Sequence, residues 1–66
     1  MKWLLVVLTF NVYPYGWETQ GQVLTSKMEC RRIAAEINDK QNSRNAEANL
    51  VNQLVLEQTY AWCEKN

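Results

Sequence analysis

Trp3–Phe10, WLLVVLTF, is the longest apolar run in the chain, and what it becomes decides the fold. A run of this kind is a core strand, the hydrophobic part of a secretory signal, or a membrane contact. Its composition favours the strand, since Trp3, Val6, Val7, Thr9 and Phe10 all suit a pleated ribbon. It is also far shorter than the roughly twenty residues that span a bilayer. Met1 and Lys2 resemble the charged start of a signal, but Asn11, Val12, Tyr13, Pro14 and Tyr15 offer no pair of small residues for a signal peptidase. With a period of two, Lys2, Leu4, Val6, Leu8 and Phe10 fall on one face and Trp3, Leu5, Val7 and Thr9 on the other. A strand that is apolar on both faces belongs at the centre of a sheet, with cover on each side.

On the C-terminal side of that run, Tyr13, Pro14, Tyr15 and Gly16 read as a type I turn, with Pro at its second position and Gly at its fourth. Trp17–Leu24 then alternates: Trp17, Thr19 and Val23 share one face, and Glu18, Gln20 and Gln22 share a wet one. Gly21 within it is a candidate bulge. Ser26 and Glu29 match a capping box, so a helix is expected to begin at this point. Cys30, Ile33, Ala34 and Ile37 form its apolar stripe, which turns Cys30 toward the core.

The stretch Asn38–Asn45, NDKQNSRN, has no apolar residue, and a break in the helix is the favoured reading. Asn45 would then cap a second helical piece, Ala46–Glu57, built on Leu50, Val51, Leu54 and Val55, with one continuous bent helix as the alternative. Gln58–Glu64 returns to strand chemistry, with Tyr60 and Trp62 on one face and Thr59, Ala61 and Cys63 on the other. The expected architecture is a single α+β domain over residues 1–66. It is a three-stranded antiparallel sheet in the order β-β-α-(α)-β along the chain, with a helix packed on one face.

Composition excludes several function classes. The 7 Lys and Arg balance the 7 Asp and Glu, so no net field gathers phosphates or anionic lipid. There is no His, and two cysteines alone cannot close a structural zinc site, so neither metal nor cofactor is expected. Cys30 and Cys63 allow one pairing; a bridge between them would contribute about 3 to 4 kcal/mol, and two buried thiols are the alternative in a reducing compartment. They lack the Cys-x-x-Cys spacing of a catalytic dithiol. Glu29, Glu36 and Asp39 lie on a polar helix face beside Arg31, Arg32 and Lys40, where solvation and ion pairing account for them. No enzyme is expected.

The chain as a whole resembles small uncharacterised accessory proteins of tailed bacteriophages. The resemblance is carried by the MKWLLVVL opening strand, the turn and second strand, Cys30 within SKMECRRIA (Ser26–Ala34), and the closing TYAWCEK (Thr59–Lys65). The polar and helical insert at 38–57 departs from that pattern. What the likeness implies is a phage origin and an accessory role without assigned chemistry; the expected location is the host cytoplasm, with export to the periplasm as the alternative.

One helix covers one face of a three-stranded sheet. The second face needs the 46–57 segment, a second copy or a foreign protein over it, and Trp3, Trp17, Tyr60 and Trp62 are the candidate anchors of such an interaction face. The function expected is therefore a protein-binding accessory factor acting on a host protein, alone or as a homodimer. The alternatives are an exported or envelope-associated disulfide protein and a nucleic-acid module that sets Arg31, Arg32 and Arg44 beside Tyr60 and Trp62.

Overall fold

The WLLVVLTF run becomes the central strand of a three-stranded antiparallel sheet in the computed structural model, which describes residues 2–66. Strand β1 (Trp3–Val12) pairs along its whole length with β2 (Tyr15–Leu24) and, on its other side, with β3 (Gln58–Lys65). Helix α1 (Lys27–Leu50) lies between β2 and β3 in the chain and packs on one face of the sheet. The fold is α+β, and its smallest extent, 11 Å, leaves room for one helical layer on one sheet.

The register pairs Val12 with Tyr15, so the connecting residues are Tyr13 and Pro14, joined by a cis peptide bond. Pro14 therefore occupies the third position of the turn rather than the second position that a type I turn requires, which corrects that expectation. Gly16 has φ of +144°, a value that side-chain-bearing residues rarely adopt, and this is why glycine closes the hairpin. Gly21 makes no bulge: Leu5–Gln22, Val6–Gly21 and Val7–Gln20 follow without interruption. Its missing side chain instead lets Leu4 lean across, since a Cβ there would meet Leu4 Cδ1 at 3.3 Å.

Helix α1 starts where the capping box places it, with the Glu29 amide donating to Ser26 Oγ at 3.3 Å. Cys30, Ile33, Ala34 and Ile37 meet Trp3, Leu5, Val7, Leu24, Ala61 and Cys63 in the core. Cys30 is fully buried and bonded to Cys63, with 6.2 Å between the Cα atoms. On the outer surface Arg32 bridges Glu29 and Glu36 at 3.1 and 2.9 Å, exposed pairs that add only about 0.3–0.5 kcal/mol each.

The expected break at 38–45 and the second helix at 46–57 are both absent from the structure. The helix is continuous for 24 residues, from Lys27 to Leu50. No Gly or Pro interrupts NDKQNSRN, and its amides at 38, 41 and 45 carry the inward stripe onward at helical spacing. Asn52 ends the helix: it takes φ of 56°, its amide donates to the Asn49 carbonyl, and the Gln53 amide donates to the Ala48 carbonyl at 2.8 Å. This is a Schellman stop with Asn in the left-handed position. Residues 53–57 then run without regular structure into β3.

The inward amides have a defined task. Asn38 donates from Nδ2 to the Ala61 carbonyl and accepts the Ala61 amide on Oδ1, both at 2.9 Å. Gln41, buried despite its polarity, accepts the Thr59 amide on Oε1 at 3.1 Å and donates to Asn45 Oδ1 at 3.0 Å. Asn45 and Gln58 exchange amide hydrogen bonds at 3.2 and 3.1 Å. A side-chain amide offers a donor and an acceptor together, as a neighbouring strand residue does. The second half of α1 thus stands in for a fourth strand and closes the outer edge of β3.

Candidate functional site

Strand alternation and the observed register divide the sheet residues cleanly. Trp3, Leu5 and Val7 share the helix side with Ala61 and Cys63. Leu4, Val6, Leu8 and Phe10 face the other way, together with Tyr15, Trp17, Thr19 and Val23 of β2 and Tyr60 and Trp62 of β3. Helix α1 covers β3 and β1, so the polar Glu18, Gln20 and Gln22 of β2 meet water on the helix side while its apolar residues face the bare side.

Nothing in the described chain covers this second face. Segment 46–57, the intramolecular candidate, does not reach over it: Leu50, Leu54 and Leu56 are themselves exposed. Tyr15 is 81% exposed, Trp17 57%, Val23 52% and Tyr60 47%. Val6 is buried on this side because Trp62 stands opposite it on β3 and Leu4 and Leu8 flank it along the strand. Phe10 organises the aromatic end, with its ring centroid 5.1 Å from Tyr15 in an edge contact and 5.0 Å from Trp17. The Trp62 indole N–H is held by Glu64 Oε1 at 2.9 Å. Glu64 is the one charged side chain that the strand residues contribute to this face.

Of the four proposed anchors, the structure brings Trp17, Tyr60 and Trp62 onto the bare face and leaves Trp3 out. Trp3 has the parity of Leu5 and packs against the core under α1, with Lys27 Nζ 5.1 Å from its ring centroid. Its place is taken by Phe10 and Tyr15, which the alternation of β1 and the hairpin register could have supplied. The residues proposed for nucleic-acid contact are separated: Arg31, Arg32 and Arg44 are on α1, on the side of the sheet opposite Tyr60 and Trp62.

A second apolar surface lies at one end of the molecule. Phe10 pairs with Gln58, so the 51–57 segment and the β1–β2 turn share that end, and Val12, Leu54 and Leu56 line a shallow hollow there with Arg44 and Glu57. Among the described residues no group of three or more Cys, Asp or Glu is placed to hold a metal ion, and no helix is long and apolar enough to cross a membrane. Comparison with protein-family models, with curated proteins and with solved structures yields no match.

Proposed function

We propose that this is a disulfide-stapled protein-binding module whose helix-free sheet face docks a protein partner. The observation that carries the reading is the combination on one face of Trp17, Tyr60 and Trp62 with the half-buried Leu4, Leu8 and Phe10, to which the strands contribute a single charged side chain. Exposed apolar patches of several hundred Å² mark interaction sites in soluble proteins, and Trp and Tyr are the favoured hot-spot residues. The likeness to phage accessory proteins makes a host protein the partner class to test first.

Affinity capture with the oxidised chain, repeated with Trp17→Ala and Tyr60→Ala, tests this. Both side chains are about half exposed, so the fold survives their loss. A hot-spot aromatic contributes about 2 kcal/mol or more, so each variant is expected to weaken the retained partner about 30-fold. Capture that is unchanged in the double variant refutes the reading.

Export to an oxidising compartment is a second reading, favoured by the Cys30–Cys63 bond. Because β1 is the central strand, an exported form of this fold must keep residues 3–12. Intact mass of the native protein is expected to show the two cysteines oxidised and β1 retained; free thiols or a product lacking β1 count against this reading.

A further inference from the structure

The two edges of the sheet are treated differently. Ala61 turns its N–H and C=O outward to Asn38, so the odd-numbered residues of β3 face its outer edge, and α1 closes that edge at Thr59 and Ala61. Antiparallel alternation then directs the even residues of β1 to β3 and its odd residues to β2. Tyr15, Trp17, Thr19, Gly21 and Val23 are therefore left with backbone N–H and C=O groups pointing outward from β2. Monomeric sheets blunt such an edge with a bulge, a proline, a lysine or a covering element. Strand β2 has none of these and carries one charge, Glu18, on its helix side: its ten residues are unbroken in register with β1 and nearly all exposed.

We infer that β2 pairs with β2 of a second copy, antiparallel about a two-fold axis at Thr19, to make one six-stranded sheet. The edge is self-complementary in this register. Thr19 faces Thr19, Trp17 faces Gly21 and Tyr15 faces Val23, all as hydrogen-bonded pairs, giving about ten new backbone hydrogen bonds. Thr–Thr and aromatic–β-branched pairs are favourable cross-strand neighbours. The indole lies over a glycine that has no side chain to clash with it and whose backbone it shields.

On the opposite face Glu18 meets Gln20 and Gly16 meets Gln22, so no like charges are opposed, and the net charge of zero removes long-range repulsion between copies. An axis at Glu18 would oppose two carboxylates. An axis at Gln20 would leave Gly21 without its aromatic cover.

Nine paired residues span about 30 Å. With Tyr15, Trp17 and Val23 from each copy, the buried surface reaches about 1,000–1,200 Å², the low end for specific association, where weak and reversible pairs are found. Residues directly opposite in an antiparallel pair point the same way, so the bare faces of both copies merge into one surface with both helices behind it. The inference deepens the docking reading: the partner's surface is completed by the second copy.

Sedimentation equilibrium of the oxidised chain between about 1 and 500 µM is expected to show conversion from 7.8 kDa to twice that mass. Thr19→Pro removes an outward N–H that the monomer does not use and should give a monomer throughout with an unchanged circular-dichroism spectrum. Should that variant fail to fold, Thr19→Lys serves the same end through like charges at the axis. Register is read by cross-linking: Thr19→Cys should form an intermolecular disulfide across the axis, where Cα atoms are about 5.5 Å apart, and Glu18→Cys should not. A monomer at every concentration overturns the inference. So does a dimer that persists in Thr19→Pro or Thr19→Lys and dissolves in Tyr60→Ala. Partner capture lost in Tyr60→Ala while the dimer is retained separates the docking face from the edge.

Discussion

Reducing the Cys30–Cys63 bond is expected to lower stability by about 4 kcal/mol, on a loop of 33 residues and the chain-entropy account of cross-links. The size of that term matters because the rest of the core is so small. Its buried apolar members are Leu5, Val6, Cys30, Ala34 and Ala61, and only Cys30 is fully enclosed. A domain of this length rarely gains more than about 3–5 kcal/mol from packing alone. The bridge also joins the first turn of α1 to β3, the elements that close the helix side of the core. Thermal unfolding followed by circular dichroism should show the midpoint falling by roughly 20 °C with reductant, or the cooperative transition disappearing. A Cys30→Ala, Cys63→Ala double variant should reproduce the loss without leaving thiols to re-form the bond. A shift below about 5 °C would show that packing, not the cross-link, sustains the fold.

Three strands, the central place of Trp3–Phe10, the cap at Ser26 and an inward Cys30 all follow from period, propensity and capping chemistry, because each is a local pattern with one cheap structural solution. The second half of α1 was hidden because its inward stripe changes chemistry without changing period. Ile37 gives way to Asn38, Gln41 and Asn45, and polarity masked a spacing that was still helical. These amides make sense only once β3 lies alongside with unpaired backbone groups, a long-range fact that no local pattern contains. Asn52 is a residue type that tolerates the left-handed turn ending a helix, but Leu54 and Val55 continue a helical rhythm beyond it by coincidence. Trp3 shares its parity with Leu5 and Val7, so once α1 covers that side of β1 it cannot join Trp17, Tyr60 and Trp62 on the other.

Replacing Asn38 tests whether the amide stripe holds the helix to the sheet. Asn38→Leu keeps the size and removes both partners of Ala61, whose N–H and C=O are part-buried beneath α1. Leaving a buried backbone group unpaired costs about 1–3 kcal/mol, so the two together should cost about 2–4 kcal/mol, comparable to the whole packing term. Urea unfolding would read that loss, and hydrogen exchange would show the Ala61 amide deprotected, while Asn42→Leu on the exposed side should stay within about 0.5 kcal/mol. Asn38→Asp makes a sharper case, because it retains the acceptor for the Ala61 amide and swaps the donor for an oxygen facing the Ala61 carbonyl. The introduced carboxyl then titrates higher in the folded chain than in the unfolded chain, since only its protonated form can donate to that carbonyl. With the folded value raised, the native state binds the extra proton, and stability relative to the parent recovers as pH falls through that value. Stability that drops in Asn38→Asp at neutral pH and returns on acidification, with the Ala61 amide protected throughout, is the expected signature. A loss in Asn38→Asp that does not change with pH would mean that Asn38 fills space at the β3 edge rather than pairing with it.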